Sequence, residues 1–304
     1  MSSPLSSTAS PVGGPSSAAP VWSGARSRWR RRTVLRRPQA WFAWGALALF
    51  VLVLAIGPLI VTTDPLAQDF APLLPFGSPG HLLGTDDLGR DELARILAGG
   101  RPLLIVSVAS ALSAGVVGSG LGMVAGYCGG VLGAAVMWTM DVLLAFPIVL
   151  VAILMVAVLG GGSGNAIVAI AVSQVPYFAR LAKNLTVVER DRDYVRSARA
   201  LGYRGTAIGL REILPNLSGQ LLVQATSTLA VTAGLSSALS YLGLGQDAAT
   251  PDWGYMVKAG QQFIFSYPWL CLLPGLLITV FAVACNLVGD DLRDAVSRTP
   301  GGGR

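Results

Sequence analysis

Charge is what this sequence has least of. Only 12% of its 304 residues are Asp, Glu, Lys or Arg, about half the roughly 25% usual in soluble domains. Lysine is nearly absent: the two examples, Lys183 and Lys258, follow Ala182 and Val257. A P-loop needs glycine directly before its lysine, so that backbone amides and the ammonium grip phosphates together. The chain therefore has no means of its own to bind ATP in that way, and no cofactor is expected on it. His81 is the sole histidine, which excludes a metal or catalytic centre built on several imidazoles. Cys128, Cys271 and Cys285 are far apart, in or beside apolar segments. They match neither a metal-ligand spacing nor a disulfide framework, and read as small packing residues. No nucleophile, base and metal come together in the pattern, so an enzyme is not expected.

What the chain does have is apolar length. It is 53% hydrophobic, and runs of some 20 residues carry almost no charge. Such runs are what a helix needs to cross about 30 Å of hydrocarbon. Six spans are expected, near 41–62, 102–127, 131–159, 165–184, 217–239 and 267–289, which makes an all-α, multi-pass membrane protein. Residues 1–38 form a tail rich in Ser, Pro and Gly, disordered by composition and ending in seven arginines from Arg26 to Arg37. Residues 39–63 hold the first span, 64–101 an external segment, 102–289 a five-helix core, and 290–304 a C-terminal tail. With both termini cytoplasmic, 18 of the 22 Lys and Arg residues fall on cytoplasmic segments and 4 on external ones, as the positive-inside rule requires. The net charge of +6 is thereby explained without nucleic acid.

Two further features stand out. Ser110, Ala114, Gly118, Gly122, Gly126 and Gly130 recur at every fourth residue; that spacing builds a small-residue face for close helix packing. Asp141 lies about two turns into the third span, where a carboxylate is costly and faces the bundle interior. It either lines a translocation path or is a paired acid near the cytoplasmic end. The external segment carries Asp64, Asp69, Asp86, Asp87, Asp91 and Glu92; Asp91 is a plausible N-cap of "DELARIL".

The basic stretch 180–212 is the largest cytoplasmic segment between spans, with eight Lys or Arg residues. Attraction to anionic lipid accounts for the charge, but not for a helical pattern punctuated by Gly202 and by Leu214-Pro215. Tyr194, Ala198 and Leu201 fall at i, i+4 and i+7 as an apolar stripe. Asp193 is the expected N-cap, Gly202 the C-terminal breaker, and a second helical run over 205–213 is expected to stop at Pro215.

The stretch "DYVRSARALG…ILPN" resembles the cytoplasmic EAA loop of permeases from ABC importers. "HLLGTDDLGRDELARILAGGR", "ALSYLGLG", "PDWGYMV" and "NLVGDDLRDAV" resemble further blocks of the C-type permease of dipeptide and oligopeptide importers, in the same order. The similarity runs over roughly residues 40–296. Where the family has EAA, this chain has Arg196-Ser197-Ala198, and Glu212 stands at the family's isoleucine. The resemblance implies a six-helix permease of the type I importer fold in a prokaryotic cytoplasmic membrane. Its coupling loop, 186–216, would seat a short helix on an ATPase through Tyr194, Arg196, Ser197, Ala198, Leu201, Gly202, Leu214 and Pro215. It further implies a second homologous permease, two ATP-binding domains or subunits holding ATP and Mg, and an external substrate-binding protein that contacts the external segment. Peptides are the implied substrate, with nickel or another small solute as the alternative. A secondary transporter would show carboxylates in several spans or an inverted repeat; one intramembrane acid and no repeat count against it.

Overall fold

The computed structural model describes residues 38–245 and 250–298, and these contain helices but no strand. The expected disordered, arginine-rich tail and the last six residues lie outside the described residues. The helices are α1 (Pro38–Ile60), α2 (Glu92–Cys128), α3 (Gly130–Leu144), α4 (Ile148–Leu159), α5 (Ser163–Glu189), α6 (Asp193–Ala200), α7 (Gly205–Ile208), α8 (Leu214–Tyr241), α9 (Trp253–Gly260) and α10 (Trp269–Arg298).

Four helical stretches are long and apolar enough to cross a membrane: α2, α5, the continuous run Gly205–Tyr241 through α8, and α10. The expected third span is broken. α3 and α4 meet at 94°, because Pro147 has no N–H to give and biases Phe146 away from helical geometry. Together they make a fifth apolar unit. In α1 the described apolar core is the shorter stretch Ala43–Leu54.

Element boundaries differ from the sequence reading in two places. The external helix begun at Glu92 and the second span are one helix of 37 residues running through Pro102. A proline in a membrane helix is tolerated where neighbours satisfy the freed backbone groups. The sixth helix runs past residue 289 to Arg298, so the expected tail begins as helix.

The small-residue face of α2 packs along α5. Gly118 lies against Val175 and Phe178, Gly122 against Ala179 and Ala182, and Gly126 against Lys183 and Thr186. Because the contacts advance together, the two helices run parallel. A Cβ at Gly122 would stand 2.2 Å from the Ala179 carbonyl oxygen, so a side chain there has no room. Ser110 donates to the Ile167 carbonyl at 3.2 Å, and Ala114 is fully buried. Gly130 is the exception: it opens α3 with φ +55° and has no neighbour near its missing side chain.

A second core joins α1, α2, α8, α9 and α10 around Trp253, which packs on Phe50 and donates to the Ile96 carbonyl at 2.8 Å. Cys285 belongs to this core, whereas Cys128 is exposed at the end of α2; only the former packs as the sequence reading assumed. Large apolar side chains such as Val116, Val131 and Val158 are exposed, as suits a surface solvated by lipid tails.

Candidate functional site

The segment between α5 and α8 folds back on the ends of three long helices. α6 starts at Arg192 as N-cap, with Asp193 inside the first turn and no side-chain cap. Asp193 is therefore not the cap expected from sequence; its carboxylate instead meets the positive end of the helix dipole. The C-terminus is as expected. Gly202 has φ +80°, Gly202 N–H donates to the Arg199 carbonyl at 3.0 Å, and Tyr203 N–H donates to that of Ala198 at 3.2 Å. This crossed pair satisfies the last carbonyls of the helix, and the left-handed residue between them is one that glycine adopts freely.

Pro215 does not stop the second run. α7 passes through a single π-helical turn, Gly209–Ile213, straight into α8, where Pro215 occupies the first turn. Proline fits a first turn because its missing N–H lies where helical partners are scarce, and the wider turn before it absorbs the mismatch.

The apolar residues of α6 divide between two faces. Val195 and Ala198 are buried with Ile208, Ile213 and Leu217 in a small core, so Ala198 points into this subunit rather than outward. Tyr194 is half-buried, and Leu201 is 78% exposed. The expected stripe of Tyr194, Ala198 and Leu201 is therefore not one surface. The outward surface combines Leu201 with Tyr203 and Leu210, exposed by 52% and 63%. Exposed Arg196, Ser197, Arg199, Arg204 and Arg211 surround them. Tyr203 and Leu210 escaped the sequence reading because they fall outside the regular helical period.

A polar network ties this segment down. The Tyr194 hydroxyl donates to Glu189 Oε2 at 2.8 Å, and Glu189 also pairs with Arg192 at 3.1 Å. Asn216 Nδ2 donates to the Tyr194 hydroxyl at 3.2 Å and to the Glu212 carbonyl at 2.7 Å. Burial, reinforced by the bond to Glu189, pushes the Tyr194 hydroxyl up to about 12, so it remains a donor throughout the neutral range. Arg199 lies over the Tyr127 ring, 5.6 Å from its centroid, and Arg190 Nη1 donates to the Gly126 carbonyl at 2.7 Å. The segment is thus bound at once to the ends of α2 and α5 and to the start of α8. Glu189, Asn216 and Tyr127 are partners that no sequence spacing indicated.

Asp141 proves to be a paired acid. It sits in the last turn of α3, where the helix's own free carbonyls disfavour negative charge. Arg180 of α5 compensates, its Nη2 donating to Asp141 Oδ1 at 2.6 Å. Both side chains are about half exposed, 52% for Arg180 and 56% for Asp141.

Much of the acidity of the external segment is turned inward. Asp91 caps α2 by accepting from Ala94 N–H at 2.8 Å and pairs with His81 at 2.7 Å. Asp86 pairs with Arg90 at 2.7 Å. Asp86, Asp91 and Glu92 are buried and Asp87 is part-buried, which leaves Asp64 and Asp69 as the exposed acids of a segment that also exposes Phe76, Leu82 and Leu88.

Comparison with known proteins is consistent across three levels. Residues 118–300 match the family described as "Binding-protein-dependent transport system inner membrane component". The dipeptide transport system permease protein DppC of Alkalihalophilus pseudofirmus is 37% identical over 247 residues, 81% of either chain. The di/tripeptide transport system permease of Pseudomonas aeruginosa is 36% identical over 82% of this chain and 84% of its own length. The glutathione transport system permease GsiD of Pectobacterium atrosepticum is 38% identical over 72% of this chain and 73% of its own. Among solved structures, the inward-facing MetNI methionine ABC transporter superposes with a TM-score of 0.54 at 20% identity, covering 67% of this chain and 97% of that one. That likeness establishes the fold of the core. A parallel glycine-seamed helix pair, a docked basic segment and a family match over more than half the chain agree: the chain belongs to the binding-protein-dependent transport system inner membrane component family and is a permease subunit of an ABC importer.

Proposed function

We propose that this permease carries di- and oligopeptides inward across a prokaryotic cytoplasmic membrane, driven by ATP hydrolysed on separate subunits. The observation that carries the substrate class is the run of relatives named for dipeptides, di/tripeptides and glutathione, similar over most of both chains. Six spans with both termini cytoplasmic satisfy the arginine distribution. A second, homologous permease completes the path, and an external binding protein delivers peptide to the face formed by the external segment.

In this reading the exposed surface of Leu201, Tyr203 and Leu210 with its arginines seats in an ATPase. ATP and Mg are held there; the lysines of this chain lack the glycine context for phosphate binding. When ATP closes the ATPase pair, the docked segment moves. Its ties through Glu189, Asn216 and Tyr127 carry that motion into α5, α8 and α2, so that access alternates between the two sides.

The test is transport by the purified complex in liposomes. A labelled dipeptide should enter only with ATP and the binding protein, and nickel should not compete. Uptake by this chain alone without ATP would overturn the importer reading, and ATP-driven uptake of nickel but not dipeptide would overturn the substrate class.

A further inference from the structure

The face of α5 opposite α2 is unlike the rest of the membrane surface. Tyr177, Arg180 and Asn184 are exposed there, at a spacing that keeps them on one side of a helix. One turn earlier Gln174 is 3% exposed, with its amide nitrogen lacking a partner. Lipid-facing positions elsewhere carry valine and leucine, such as Val116, Val131 and Leu154. A permanent seam between membrane helices favours small residues that allow close approach, as the α2–α5 contact does. A stripe of long polar side chains fits neither environment. It fits water.

Within this stripe Arg180 meets Asp141 of α3 at 2.6 Å, with about half of each side chain still open. Charges at membrane depth pair with one another and face aqueous cavities. Arg180 lies nine residues before the end of α5 and Asp141 eleven after the start of α3, roughly 14 and 16 Å along helices rising 1.5 Å per residue. Both positions fall within the expected spans, 165–184 and 131–159, on helical units apolar enough to cross a membrane. We propose that Asp141 and Arg180 form the polar step of the translocation path, where the ammonium and carboxylate termini of a passing peptide are accommodated. At rest the two charges neutralise each other; a zwitterionic peptide offers each a replacement partner as it passes, leaving the net charge at zero throughout. This inference rests on the peptide-importer reading above.

The experiment uses the complete complex in liposomes, with Cys128→Ser, Cys271→Ser and Cys285→Ala as background. Arg180→Cys should lower dipeptide uptake at least tenfold while ATP hydrolysis stimulated by loaded binding protein persists. Aminoethyl methanethiosulfonate, which installs an ammonium, should restore uptake, and the sulfonatoethyl reagent should not. Dipeptide present during turnover should slow the modification severalfold. A thiol inert to both water-borne reagents in every nucleotide state, or one that dipeptide does not protect, overturns the proposal. Asp141→Asn with Arg180→Gln preserves hydrogen bonding between α3 and α5 but removes both charges, and covers the case in which the cysteine variant fails to assemble. Its uptake should also fall at least tenfold, and uptake equal to the parent's overturns the proposal. Absence of ATP-dependent dipeptide uptake by the unmodified complex would instead refute the importer reading itself.

Discussion

Gly122→Ala adds one carbon to the middle of the α2–α5 seam. Its Cβ would lie 2.2 Å from the Ala179 carbonyl oxygen and 2.8 Å from the Ala182 Cβ. Ordinary close carbon-to-oxygen contacts are about 3.3 Å, so α5 must retreat by about 1 Å. The obstruction is backbone, and no change of rotamer relieves it. A gap of that size along neighbouring turns forfeits a quarter to a half of each lost dispersion contact. Overpacking of this kind costs about 1–3 kcal/mol, or roughly 5- to 150-fold in the folding equilibrium. Gly120→Ala is the matched control: it lies two residues away, on the exposed side of the same helix, with nothing near its added carbon. Both variants gain the same helical preference of alanine over glycine, about 1 kcal/mol, so their difference isolates the seam. Equilibrium unfolding of the permease in mixed micelles, followed by tryptophan fluorescence, should place Gly122→Ala below Gly120→Ala by that amount. Equal stabilities would refute the claim that the glycines exist to admit α5.

The coupling segment yields graded expectations. Gly202→Ala meets no atoms and should cost only the conformational strain of a left-handed residue, about 1–2 kcal/mol. Gly202→Pro cannot adopt φ +80° at all and should abolish peptide-stimulated ATP hydrolysis while the chain still inserts, as membrane fractionation would show. Leu201→Asp, at an exposed position, should leave stability within about 0.5 kcal/mol yet reduce co-purification of the ATPase. Ala198→Asp buries a carboxylate, so limited proteolysis should reveal a loosened segment in addition to lost coupling. Tyr194→Phe removes the donor to Glu189 and should cost about 0.5–1.5 kcal/mol, with ATP hydrolysis less tightly dependent on peptide. Because Tyr194 titrates only near 12, that difference from the parent should be flat between pH 6 and 9.

The legible features were those with a local cause. The four-residue ladder of α2 announces a packing face wherever it is met, since period alone fixes the side of the helix. Asp91 and Gly202 announce helix ends because capping and left-handed geometry are properties of single residues. Misreadings came where two local rules competed. Asp193 and Arg192 are adjacent, and the N-cap fell to the residue that enters from extended backbone, not to the better acceptor. Pro215 looked like a terminator, but a π-turn upstream changed its position within the helix from interior to first turn. The stripe through Tyr194, Ala198 and Leu201 obeyed the helical period, yet burial was decided by Ile208, Ile213 and Leu217, residues that fold back only after Gly202. Arg180 as the partner of Asp141, and Tyr127 as the seat of Arg199, are contacts 39 and 72 positions away in sequence. No single-sequence period reports such pairs.

These contacts decide whether a push on α6 can do mechanical work. A surface helix joined by slack loops would absorb displacement in its connections, and the long helices would not feel it. Here the connections are short and braced. Glu189 at the end of α5 and Asn216 at the start of α8 both bond to Tyr194 of α6, and Tyr127 of α2 packs under Arg199. α2 and α5 run parallel with their backbones in contact from Gly118 to Gly126, so a force on either end is shared by the pair and cannot splay it without breaking the seam. The broken helix α3–α4 is built differently, bent by 94° at Pro147 and carrying Asp141 at its last turn before the bend. The bent limb packs on the rigid pair through the buried Met137 and Met140, beside the half-exposed ion pair of Arg180 and Asp141; an exposed pair of this kind holds by only about 0–1 kcal/mol. Among the contacts between α5 and α3, the ion pair therefore resists relative motion less than the buried apolar packing does. If the path opens by sliding one limb past the other, the polar step is where it should part first.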